Sequence, residues 1–231
     1  MELIARTKDN QPNKTNLLQT KATPSLKSAV CKTLRYPILV GDQWATLPKS
    51  IQKRFVKWTQ HRKVILYQGR LLETRFSKIG RLLSALCWLI GNPLPDKSNV
   101  RGPATVIVRE CRKTNGQIWT RIYPRKKNVP QVIQSLKRFE GETGLEEMIT
   151  RSIGIALRLE AKPDRLNFIS NHYFVKFGKR RIKIPALLTP GRLCVSHKEA
   201  GPKRFRFSLT LTHKFWGELI FQTAIFGEIE Q

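Results

Sequence analysis

In the second half of this chain, apolar and polar residues trade places at every second position, most clearly near the C-terminus. Phe205, Phe207, Leu209 and Leu211 share one parity, while Arg204, Arg206, Ser208, Thr210 and Thr212 share the other. A period of two predicts a strand with one dry and one wet face. His213 continues the dry parity, Lys214–Gly217 interrupts it, and Glu218–Phe226 returns as a second strand. Upstream, the same reading predicts strands over Val64–Phe76, Ala104–Arg112, Gln117–Tyr123, Gln131–Phe139, Arg151–Glu160, Leu166–Val175 and Arg192–Lys198. Gly69 marks a bend in the first of these, and Asn115-Gly116 a tight turn between the second and third.

Helical spacing appears twice, both times early. Ile51, Phe55 and Trp58 recur over Leu47–Trp58, with Thr46 as a cap and Pro48 in the first turn. Ile79, Leu82, Leu83, Leu86 and Ile90 form a stripe over Lys78–Ile90, capped by Ser77 and stopped by Gly91, Pro93 and Pro95. Tyr36–Val40 reads as a short extended segment. Short connections between strands require antiparallel pairing, because parallel strands would need crossover helices. The predicted fold is therefore α+β: a curved antiparallel sheet or half-open β-barrel of about nine strands, with two helices near its start.

Composition adds a boundary and a bias. Residues 1–40 are polar and basic without periodicity and read as a mostly disordered tail, leaving 41–231 as a single domain. The formal charge of +27 favours polyanions, nucleic acid or an anionic membrane, as weak contacts. The cations recur on the wet parity of strand after strand, which is also what a solvated surface does. Met1–Ile4 opens no secretory apolar run, and Leu82–Ile90 is too short to span a bilayer. Four scattered cysteines suit a reducing compartment, so a cytoplasmic location is expected.

The candidate chemistry lies in polar residues on apolar parities. His172 shares a face with Ser170 and Phe174, His197 with Leu193 and Val195, and Glu218 and Gln222 with Ile220 and Ala224. Trp119, Arg121 and Tyr123 form another mixed row. Polar groups among apolar ones inside a barrel describe a small-molecule cavity, whereas a histidine taken singly is ordinary hydrogen-bonded packing. No HxH or HxxxH pair supports a metal, Cys194 and His197 project to opposite faces, and no phosphate-loop pattern implies a nucleotide cofactor. Glu146 and Glu147 could serve in catalysis, but an acidic island in a basic protein is more often a local charge partner.

Several stretches carry a family resemblance: ETGLEEMI (Glu142–Ile149), IKIPALLTPG (Ile182–Gly191), VSH (Val195–His197), FRFSL (Phe205–Leu209) and THKFWGELIFQ (Thr212–Gln222). With Leu47-Pro48, IGRLLSAL and WTRIY as earlier landmarks, residues 44–226 resemble an uncharacterised bacterial domain-of-unknown-function family. That family occurs alone or behind saccharopine-dehydrogenase-like NADP-binding domains. Its HPxFGE-type motif reads His213-Lys214-Phe215-Trp216-Gly217-Glu218 here, with lysine in place of proline. The resemblance implies a single domain and names no substrate, and the chain lacks the fingerprint of the NADP domain.

The expected function is binding of an apolar or lipid-like small molecule in the barrel cavity. His213, Glu218, Gln222, His197, His172, Ser170, Trp119 and Arg121 are its candidate ligand-binding residues. A hydrolase or isomerase using the same cavity would need a histidine base beside Glu218. A polyanion binder would need one continuous basic face, such as Arg125–Lys127 with Lys179–Lys183.

Overall fold

The computed structural model describes residues 35–56, 64–87, 94, 101–111, 113–114, 116–124, 129–178 and 180–229. The N-terminal stretch 1–34, residues 57–58 and 88–90 of the predicted helices, Asn115, Arg125–Lys127 and Lys179 lie outside them.

Eleven strands form one antiparallel sheet. In chain order they are β1 (Ile65–Phe76), β2 (Gly102–Cys111), β3 (Gly116–Tyr123), β4 (Gln131–Arg138), β5 (Glu146–Met148) and β6 (Ile153–Lys162). Then follow β7 (Arg165–Phe177), β8 (Arg180–Lys183), β9 (Arg192–Glu199), β10 (Arg204–His213) and β11 (Gly217–Ile229). The order β6-β5-β4-β3-β2-β1-β11-β10-β9-β7 closes on itself because β6 also pairs with β7, and β8 adds to β7 alone. The barrel is thus closed with ten strands, not half-open with nine. Closure leaves no long edge to protect.

The two strands missed by pattern are the short ones. β5 occupies the acidic island, where three residues cannot show alternation, and β8 occupies a run of cations. Both survive because neighbours supply their hydrogen bonds.

Helix α1 (Arg35–Val40) continues through a 3-10 turn at Gly41–Thr46 into α2 (Lys49–Val56). Tyr36–Val40 is therefore helical rather than extended. Thr46 does not cap α2; its hydroxyl donates back to the Gln43 carbonyl. Tyr36, Leu47, Ile51 and Phe55 are buried against Phe168 and Leu166, so these helices plug one end of the barrel. Tyr36 also donates a hydrogen bond to Gln117 Oε1 (3.0 Å). Helix α3 (Lys78–Leu86) is capped by Ser77 Oγ, which accepts from Gly80 N–H at 3.0 Å. It packs on β11 so closely that a Cβ on Gly80 would run into the Leu219 carbonyl. Since α3 follows the far end of β1, it stands at the end opposite the plug, beside the open mouth.

Candidate functional site

Barrel diameter grows with strand number, and ten strands enclose more than side chains need to fill. The surplus is a cavity of ≈ 260 Å³ reached from the open end. Its walls are apolar, with Ile133, Ile155, Leu193, Val195, Phe207 and Leu209 among them. Leu83 on α3, Cys87 at its C-terminal cap and Leu188 from the β8–β9 connection stand at the cavity mouth. That volume lies just under the usual range for ligand pockets, about 300–1,000 Å³.

Polar groups meet at the inner limit of this cavity. Arg121 on β3, Ser135 on β4, Glu147 on β5 and Gln222 on β11 all line it. Glu147 accepts from Ser135 Oγ at 2.6 Å and from Lys137 Nζ at 2.9 Å. Arg121 is held more loosely. Nη1 donates to Ser135 Oγ over 3.3 Å, and Nη2 lies 3.6 Å from Glu147 Oε1. Burial would raise the Glu147 carboxyl, but Lys137, Arg121 and Ser135 outweigh it and hold it at about 2. Burial pushes the Lys137 ammonium down, with Glu147 opposing. Gln222 Oε1 accepts from Tyr123 Oη at 3.4 Å, and its Nε2 donates to Thr74 Oγ1 at 3.2 Å.

Of the residues predicted to face the ligand, Arg121 and Gln222 line the cavity. Trp119 and His197 lie deeper, in a ≈ 20 Å³ space shared with Lys137 and Phe168 and bordered by Arg121. His197 is surrounded by the rings of Phe55, Phe168, Phe205 and Phe207. Its Nδ1 has no hydrogen-bond partner. Burial first, then Arg54, Lys137 and Arg121, push its pKa well below the ordinary value, so the ring is neutral.

The other four stand elsewhere. Ser170 accepts from Leu193 N–H at 2.9 Å, tying β7 to β9 just past the end of their ladder. His172 faces away from the cavity. A register shift between Ala156 and Leu157 inserts an extra residue in β7, so Tyr173 takes the inward position and His172 the outward one. His213 stacks on Trp216 (4.2 Å between ring centroids), and its Nδ1 accepts from Phe215 N–H. Glu218 is exposed and paired with Arg75 at 3.2 Å. A second shift, between Leu211 and Thr212, breaks the parity that had put Glu218 on one face with Ile220 and Gln222. The acid–base couple required by a hydrolase or isomerase at that position is therefore not assembled.

Ser135 and Lys137 were missed, and Glu147 was read as a local charge partner, as its pairing with Lys137 and Arg121 shows, but not placed at the cavity. β4 carried a signal for the first two, since Gln131, Ile133, Ser135 and Lys137 share a parity. Glu147 had none: only pairing shows that it points inward while Glu146 points outward to Arg138 and Arg181. Among the described residues, no three His, Cys, Asp or Glu side chains form a metal-holding group.

A family model described as a domain of unknown function, DUF4166, matches residues 47–226. No curated protein and no solved structure matches the chain.

Proposed function

The chain belongs to the DUF4166 family, a domain of unknown function, and from that premise we propose that it binds a small, lipid-like molecule with an acidic head inside the barrel. The observation that carries this reading is Arg121. It borders an apolar cavity with one long hydrogen bond and one loose ion contact. A guanidinium offers five donors, and charge-assisted bonds to a carboxylate form at about 2.7–2.9 Å. Glu147 meets that charge only in part, because one carboxylate is shared with Lys137, which holds it more closely. An incoming acid would meet Arg121 while its chain lay along Ile133, Val195 and Leu209 toward the mouth. Tyr123, two residues along β3 from Arg121, and Gln222 on β11 offer further polar contacts. The compartment proposed is the cytoplasm, in keeping with free thiols at Cys87, Cys111 and Cys194.

Calorimetric titration of the full chain with dodecanoate and with dodecanol tests the reading. Tighter binding of the acid supports it. Equal binding of both removes the acidic head but leaves an apolar binder. Binding of neither, with native mass spectrometry also finding empty protein, removes the reading as a whole.

A further inference from the structure

The two ends of the barrel differ in chemistry. Among the described residues, the large hydrophobic side chains left exposed at the plugged end are Ile38, Val64 and Ile229. The rest lie on segments at the open end. Those nearest the mouth are Leu82 and Leu86 on α3, Leu187 and Leu188 after β8, and Phe215 and Trp216 in the β10–β11 turn. Leu187 and Leu188 are each 76% exposed, and Phe215 is 66% exposed. Exposed apolar side chains on several segments of one end mark a candidate contact surface.

The acids are divided along the same axis, while cations are exposed at both ends. Lys78, Arg81, Arg101, Arg151, Arg192 and Lys214 are exposed on segments of the open end. The described acids of that half, Glu73 and Glu218, both sit on Arg75. By contrast Asp42, Glu140, Glu142, Asp164 and Glu199 belong to the plugged half. Exposed leucines and aromatics set among cations are what an interfacial surface needs. The apolar groups enter the acyl boundary while the cations meet anionic headgroups. A nucleic-acid site would need base-reading or stacking groups along a groove, and here the apolar groups project from separate turns around a mouth.

We infer that the open end docks on an anionic lipid bilayer, with α3, the β8–β9 connection and the β10–β11 turn at the surface. In this orientation the cavity opens onto the membrane, whatever the cavity holds. The inference stands on the rim and not on the ligand.

Vesicle sedimentation of the full chain tests it. One set of vesicles is phosphatidylcholine alone, and the other contains phosphatidylglycerol at about a third of the lipid. The expected result is binding to the anionic set that weakens with added salt, with a blue shift of tryptophan emission. Arg81→Glu with Lys214→Glu should lower partitioning by about tenfold or more, each cation near the surface counting for about fivefold. Phe215→Ser with Leu188→Ser should do the same without touching charge. Arg204→Glu with Arg206→Glu, exposed at the plugged end, should leave binding within about twofold. The inference is overturned by no binding at low salt, or by equal loss in the plugged-end variant, which would indicate diffuse attraction. It is also overturned if binding is insensitive to both rim pairs, which would point to the basic N-terminal residues. Self-association through the rim without vesicle binding would overturn it too, in favour of a second copy as the partner.

Discussion

Arg121 and Glu147 face each other across 3.6 Å at the inner limit of the cavity, yet neither is the other's best partner. Glu147 is held by Lys137 at 2.9 Å and Ser135 at 2.6 Å, while the hydrogen bond of Arg121 to Ser135 spans 3.3 Å. A half-buried cation with spare donors is stabilised when an anion completes it.

Replacing Arg121 by glutamine should preserve the contact with Ser135 and remove the charge. Dodecanoate affinity should fall by about 10- to 100-fold, the usual worth of a hydrogen bond to a charged group. Dodecanol affinity should stay within about twofold, within the spread of ordinary surface effects. Titration of both probes against the variant checks this, and parallel losses would contradict it.

Glu147→Gln leaves the Lys137 ammonium buried beside a neutral amide. Breaking a buried pair on one side costs about 3–5 kcal/mol, whereas replacing both partners by apolar groups is often near neutral. Urea unfolding should therefore show a large loss for Glu147→Gln. The double variant Glu147→Leu with Lys137→Met should be the more stable of the two. The opposite order would mean that the pair is not desolvated as described.

Stability should respond to pH in two separate windows. The folded Glu147 carboxyl titrates at about 2, below the ordinary 4.5. Its contribution is fully present above 4.5 and is lost as pH falls from there toward 2. The His197 ring also titrates well below its ordinary 6.5 when folded. The unfolded chain then takes up a proton near 6.5 that the folded ring refuses, so stability declines as pH drops below 6.5. His197→Phe should flatten the slope between about pH 6.5 and 5 and leave the lower window intact. Denaturant midpoints across that range measure it, and an unchanged upper slope would count against a neutral, water-free imidazole.

Tyr36 joins the plug to the barrel. Tyr36→Phe keeps the ring contacts with Phe55, Phe139 and Phe168 and loses the bond to Gln117, at a cost of about 0.5–1.5 kcal/mol. Tyr36→Ala also empties the end of the core, at about 3–5 kcal/mol. Similar midpoints for the two variants in urea would show that α1 contributes little to closing the barrel.

Much of the architecture was legible as period-two patterning, because each long strand has one face in the barrel and one in water. β10 and β11 follow that rule for most of their length, and α3 carries its cap residue in plain view. The rule fails where a register shift inserts a residue. Alternation counted through Ala156–Leu157 or Leu211–Thr212 assigns His172 and Glu218 to the wrong side. It is also blind to β5, whose three residues are too few to show any period.

What the order of residues determines by itself is local: which stretches can be strands, which turn, where the helices begin, and that the surface is basic. Closure of the ring, the inward turn of Glu147 and the placing of Arg121 and Gln222 around one cavity were decided only by the tertiary structure. So was the gathering of exposed leucines, aromatics and cations around one mouth. The physical reason is that alternation constrains each strand against its own two faces. The angle of closure and the choice of neighbours come from hydrogen bonds and packing between segments distant in the chain.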